Sequence, residues 1–256
     1  MAPATRGRFL RRIALDADAV PDAVPDAAGY PFDLPVVAGL LAAGGLDLPP
    51  GVTFLVGDNG SGKSTLVEAV AVAVGFNPEG GSRNFRFATR ATESPLGHYL
   101  TVVREAGRRE RSSFFLRAES FYNVATEIET LGVLGGYGGR SLHERSHGES
   151  FLDLIEHRFV PGGLYLLDEP EAALSPRGAL AALSRLHDLA EAGSQLLIAT
   201  HSPILLALPG ATIVQIEADG ALGRVGYDDV DPVRVTRDFL AAPERSLRYL
   251  LGDAPA

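Results

Sequence analysis

The segment Gly57-Asp58-Asn59-Gly60-Ser61-Gly62-Lys63-Ser64-Thr65 constrains the chain more than any other. It holds the single lysine, which stands against 22 arginines elsewhere, with glycines six and one residues before it and a hydroxyl residue after it. A compact ammonium suits close contact with phosphate oxygens better than a planar guanidinium does. The flanks agree. Val52 to Val56 is a short apolar, β-branched run that reads as a buried strand. Leu66 to Val74 reads as a helix that starts at the Ser64-Thr65 pair and closes near Gly75. Strand, glycine loop and helix in that order aim loop N–H groups and a helix N-terminus at a chain of phosphates. Gly57 to Thr65 are therefore candidate nucleotide contacts, with Lys63 on the β- and γ-phosphates and the Ser64 hydroxyl on Mg²⁺. A plain glycine-rich turn is the alternative.

At 256 residues the chain can bury a full core, and one large domain is expected. Hydrophobic content of 46% and charged content of 21% fit a soluble globular protein. No cysteine is present, which excludes disulfides and thiolate metal sites. The formal charge of −9 argues against broad nonspecific affinity for nucleic acid. The one dense basic stretch, Arg104, Arg108, Arg109 and Arg111, is broken by Glu105 and Glu110 and reads as a solvated hairpin tip. The best apolar run, Val36 to Leu46, is too short for a membrane span. Arginines 6, 8, 11 and 12 are followed by acidic residues rather than an apolar core, so a secretion signal is not expected and a cytoplasmic location is.

Along the chain, Arg8 to Ala14 reads as an edge strand and Asp16 to Ala28 as an Ala/Pro/Asp loop. His98 to Arg104 and Ser112 to Arg117 read as two strands joined by the arginine-rich turn. Helices are expected over Phe121 to Leu131, Phe151 to Phe159 and Arg177 to Ala192, and strands over Gly163 to Leu167 and Gln195 to Ala199. Thr212 to Ile216 and Leu222 to Tyr227 form a hairpin around Asp219-Gly220, and a last helix, interrupted near Pro243, covers Val233 to Leu251. Strands alternating with helices imply an α/β fold with a mainly parallel core sheet.

Two further motifs carry chemistry. In Leu164-Tyr165-Leu166-Leu167-Asp168-Glu169-Pro170 an apolar strand beside the phosphate loop ends in two acids. Asp168 is placed to hold Mg²⁺, and Glu169 to act on the water that attacks the γ-phosphate. Ala199-Thr200-His201-Ser202-Pro203 follows another apolar strand, and a histidine there can hydrogen-bond the γ-phosphate.

The order of phosphate loop, acidic strand end and, 33 residues beyond Asp168, histidine resembles the Walker A, Walker B and switch-histidine succession of ABC-class P-loop ATPases. Ala172-Ala173-Leu174-Ser175-Pro176 falls where the D-loop belongs, and Ser146-His147-Gly148-Glu149 where the signature loop belongs. Ser146 and Gly148 match the usual Ser-Gly-Gly-Gln, while His147 and Glu149 depart from it. The chain is similar to stand-alone bacterial predicted ATPases of this class, near the AAA-type group that includes the overcoming-lysogenization-defect proteins. The resemblance implies a single ABC-type ATPase domain over residues 1–256, with about 121–158 as a helical signature subdomain beside an antiparallel β portion. It also implies ATP and Mg²⁺ as ligands and a head-to-tail homodimer with ATP sandwiched between subunits. Ser146, Gly148 and Glu149 would then meet the nucleotide of the partner copy, and Glu169, His201 and Lys63 would carry catalysis. The family's Q-loop glutamine is missing, since Gln195 and Gln215 both lie in later strands, and Glu119 is its positional substitute near the metal. Tyr30 and Phe32 are candidates either for stacking on adenine or for core packing. The implied output is a switch acting on DNA or in defence. A nucleotide-binding subunit for a membrane protein and a slow ATP-dependent scaffold are the alternatives, and the altered signature weighs against a membrane partner.

Overall fold

The structure, a computed structural model, describes residues 7–15, 29–83, 94–130, 132, 135 and 147–252. Nine strands and eight α-helices are assigned among them, and the loop reading of 16–28 and the placement of Ser146 lie outside the described residues. The strands divide between two sheets. A small antiparallel sheet has the order β2-β1-β4, formed by β1 (Leu10–Leu15), β2 (Leu46–Asp47) and β4 (Leu100–Arg104). The larger sheet has the order β5-β6-β7-β3-β8-β9. Its members are β3 (Val52–Gly57), β5 (Ser113–Arg117), β6 (Leu164–Asp168), β7 (Gln195–Ala199), β8 (Thr212–Ile216) and β9 (Leu222–Val225). All are parallel except β9, which returns on β8 as the expected hairpin.

The strands of this sheet read as unbroken apolar runs because both faces are covered. On one face Phe54, Phe114, Leu116, Tyr165, Leu167 and Ile198 pack with apolar residues of α3 (Phe121–Thr130), α4 (His147–Arg158) and α5 (Pro176–Glu191). On the other, Leu55, Phe115, Leu164, Leu166 and Leu197 meet α1 (Pro35–Ala42), α2 (Lys63–Ala73) and the small sheet. Phe114 and Phe115, adjacent in sequence, are fully buried in opposite cores. Each contributes roughly 3 kcal/mol of apolar burial, so β5 is fixed by both layers. The helices α3 and α4 of the expected signature portion share the main core with Phe54 and Leu167.

The reading of residues 98–117 needs correction. β4 and β5 are strands, but they do not pair: β4 joins β1 antiparallel, and β5 joins β6 parallel. Buriedness separates them, since β4 is largely exposed after Leu100 whereas Phe114 to Leu116 are inaccessible. A strand buried on both sides belongs in the middle of a three-layer sandwich, and the arginine-rich turn crosses between sheets. A second correction concerns the acid-bearing strand, which is not the neighbour of β3; β7 lies between them. The run from Val36 is the helix α1, and the terminal helix is broken as expected into α7 (Asp231–Ala241) and α8 (Pro243–Leu251), after the short α6 (Pro203–Leu206). No helix among the described residues is long and apolar enough to cross a membrane.

Candidate nucleotide site

Parallel strands of equal length bring their C-terminal ends to one edge, and register decides which side chains meet there. Arg117 pairs with Asp168, Asp168 with Ala199, and Ala199 with Leu55, two residues before Gly57. The sheet thus lines up the ends of the three motif strands. Between β3 and α2 the chain turns through Gly60 and Gly62, at φ 83° and 95°. At Gly62 a Cβ would also lie 2.5 Å from Val36 Cγ1, because α1 closes over the loop with the Val36 N–H donating to the Ser61 carbonyl at 3.0 Å. Only glycine satisfies both the left-handed backbone and that approach.

Lys63 opens α2, one residue before the expected start at the Ser64-Thr65 pair. Its ammonium donates to the Gly57 and Asp58 carbonyls at 2.8 and 3.0 Å, folding the side chain back along the loop. Burial pushes its pKa below the ordinary lysine range, against the opposing pull of Glu169, Asp168 and Asp58. Asp168 is pushed up to about 6, chiefly by burial, although the Ser64 hydroxyl and the Arg117 charge favour the carboxylate. Its Oδ1 is buried without a hydrogen-bond partner, as are Ser61 Oγ and His201 Nε2. Orphaned acceptors and donors around a glycine loop fit a ligand that brings phosphate oxygens and a divalent cation. Glu169 has φ 48°, the only positive value at a non-glycine residue among the described ones. Its N–H donates to the Ala199 carbonyl at 3.0 Å, which holds this left-handed backbone in place beside β7.

A cleft of about 460 Å³ is lined by Ser64, Ala118, Glu119, Asp168, Glu169, Ala172 and Ala173. Sequence reasoning selected four of these seven residues. The exposed Glu119 lines the same cleft as Ser64 and Asp168, whereas Gly148 and Glu149 do not line it. They sit in the first turn of α4, which begins at His147, ahead of the expected start. There Gly148 is held against the Ala173 carbonyl, 2.8 Å from where its Cβ would be. A second cleft of about 360 Å³, with Gly57, Asp58, His201 and Gln215 in its wall, borders the other flank of the loop. The His201 imidazole is lowered in pKa by burial and then by the Lys63 charge. Tyr30 is exposed, with its hydroxyl 3.4 Å from Thr65 Oγ1. Phe32 instead packs edge-on to Tyr99 at 5.3 Å, so core packing is its role.

Three residues of this site escaped the sequence reading. The Arg117 guanidinium donates to Glu68 of α2 at 2.7 Å and lies 3.4 Å from Asp168 Oδ2, tying the loop helix to the acidic strand end. Glu68 in turn accepts from the Ser94 N–H at 3.0 Å. Glu171 accepts the His201 N–H at 2.5 Å and so fixes the histidine's turn. An arginine at a strand end and a glutamate within an apolar helix carry no spacing signal, because their partners are distant in sequence.

Comparison with known proteins agrees with this geometry. A family model described as "AAA domain" matches residues 44–127, and one described as "AAA domain, putative AbiEii toxin, Type IV TA system" matches residues 150–207. The chain is 28% identical over 221 residues to the cytochrome c biogenesis ATP-binding export protein CcmA of Rhodospirillum rubrum, covering 75% of this chain and 91% of that protein. It is 29% identical over 174 residues to ABC transporter G family member 22 of Arabidopsis thaliana, covering 60% of this chain and 23% of that one. Among solved structures, the SMC head domain from Thermotoga maritima aligns with 71% of this chain and 92% of its own, at 17% identity and a TM-score of 0.39. Both matched segments of the family models fall on the strands and loops that build the cleft, and over them the chain carries AAA/ABC-type P-loop ATPase domain sequence.

Proposed function

We propose that this ATPase turns over at a composite site, completed when a second copy places its α4 N-terminus against the nucleotide. The observation that carries the reading is the split of the motif residues. Lys63, Ser64, Asp168, Glu169 and His201 gather at one sheet edge, whereas Gly148 and Glu149 lie outside the cleft those residues line. An N-terminal helix turn presents N–H groups suited to an anion, and this reading assigns that anion to another subunit. Ser146, just before that turn, is assigned the same role.

Within one subunit, Lys63 and the N–H groups of residues 57–65 bind the phosphates. Ser64 and Asp168 would hold Mg²⁺, with Glu119 in the lining of the same cleft. Bound there, Mg²⁺ neutralises charge on the β- and γ-oxygens. Glu169 orients the attacking water and accepts its proton, and His201 donates to the γ-phosphate. Tyr30, exposed beside Thr65, would stack on the base. Because phosphoryl transfer depends on positioning and charge, completing the site from a second subunit can gate the rate.

The switch so formed is assigned to a DNA-related or defence process, in keeping with the toxin–antitoxin description of one matching family model. A second reading, the nucleotide-binding subunit of a transporter, is favoured by the relatives, several of which are named as export, import or transporter ATP-binding proteins. Affinity purification from membranes separates the two: a stable membrane-protein partner supports the transporter, and its absence with turnover of the free dimer supports the switch.

A further inference from the structure

We infer that the chain carries a second anion site, for the phosphodiester backbone of a nucleic acid, at the end of the sheet opposite the phosphate loop. β5, β6 and β7 all start at this end, just after Arg111, Gly163 and Ser194. One strand length of about 17 Å therefore separates it from the edge that holds Asp168. A cavity of about 390 Å³ lies here, with Gly107, Arg108, Arg109, Arg111, Gly162 and Gly193 in its lining.

Charge at this turn is less balanced than its sequence implies. Glu105 faces Arg8 and Arg11 of the neighbouring strand at 3.7 and 3.9 Å. Glu110 is enclosed between Arg83 and Arg104 at 2.5 and 2.8 Å. Both acids that should neutralise the turn are thus taken by other arginines. Arg108, Arg109 and Arg111 form no ion pair among the described residues, and all three are exposed. The turn is nevertheless fixed: the Arg111 N–H donates to the Gly162 carbonyl at 2.9 Å, and its side-chain stem runs alongside Gly162.

On a chain of formal charge −9, three unpaired guanidinium groups around one cavity form a local positive focus. Guanidinium forks match phosphate oxygens two at a time, and the glycines in the lining leave room for a backbone to approach. Because the arginines are exposed, the cavity is a trough open to solvent. A continuous polyanion crossing it releases counterions at each contact, which a single free phosphate does not.

The test uses the full chain and fluorescence anisotropy of short labelled single-stranded and duplex DNA across a salt series. The wild type is expected to bind with a strong salt dependence. Arg108→Glu with Arg109→Glu should weaken binding at least about 10-fold and reduce the salt slope by about two, roughly one per lost phosphate contact. Arg108→Lys with Arg109→Lys should keep most of that slope. ATP hydrolysis and thermal stability should be unchanged in both variants, since neither residue touches the nucleotide cleft, so a failed ATPase assignment and a failed nucleic-acid site are told apart. No binding at low salt, or binding that the glutamate variant retains, overturns the site. Equal affinity for polyglutamate, or binding to phosphatidylserine vesicles in place of DNA, overturns the assignment to a phosphodiester backbone.

Discussion

Asp168 and Glu169 are neighbours whose backbones make opposite demands. Asp168 completes a regular strand, paired with Arg117 and Ala199, while Glu169 adopts a left-handed conformation that costs a non-glycine residue about 1 kcal/mol. Strain kept at a carboxylate beside a cleft is best explained by what the carboxylate does. Glu169→Gly is therefore expected to leave the thermal midpoint equal or higher while abolishing phosphate release; a marked fall in the midpoint would remove the strain argument. Arg117 poses a different test. Its loss leaves Glu68 buried without its cation, at a cost of about 3 kcal/mol in urea unfolding, and the Arg117→Gln/Glu68→Gln double variant should recover much of it. Glu171→Gln keeps a carbonyl acceptor for the His201 N–H and should be mild, whereas Glu171→Ala should lower kcat about 10-fold through a displaced His201 with little change in stability. The lysine, the hydroxyl pair, the acid pair and the histidine were legible because each sits at a fixed offset within a motif. Arg117, Glu68 and Glu171 were not, because long-range pairing leaves no local pattern.

At the scale of elements, apolar run length predicted the strands well but not their partners. Phe114-Phe115-Leu116 has no polar residue to mark a solvent face, and that absence is the signal that β5 belongs in a sheet covered on both sides rather than in a hairpin with β4. Val36 to Leu46 carries three glycines, Gly39, Gly44 and Gly45, which weaken the helix signal of the segment that opens α1. Gly39 is instead a packing site: a Cβ there would sit 1.8 Å from the Gly220 carbonyl oxygen of the turn between β8 and β9. The same close fit places α1 over the phosphate loop. Gly62→Ala should then act twice, through a left-handed backbone and through contact with Val36, destabilising the fold by about 2 kcal/mol or more. Nucleotide binding should be lost at temperatures where the variant remains folded. Binding at wild-type affinity, measured calorimetrically, would show that the loop tolerates movement of α1.

Across the whole molecule, two charged ends of one parallel sheet are set apart for different anions. The edge at Lys63 and Asp168 collects groups that are buried and unsatisfied, while the far edge carries exposed arginines around the turn before β5. The α/β architecture was legible from the alternation of strands and helices, and the proposed dimer is the part no single chain displays. Its consequences are kinetic. Phosphate release from Mg-ATP, followed against protein concentration with mass by light scattering in the same buffer, tests it most directly with wild type beside Glu169→Gln. The account predicts a rate per subunit that rises with concentration. Chelation of Mg²⁺ should abolish that rate, and Glu169→Gln should lose it by about 100-fold or more while accumulating as an ATP-bound dimer. A rate per subunit independent of concentration, from a protein that stays monomeric with ATP, would contradict it.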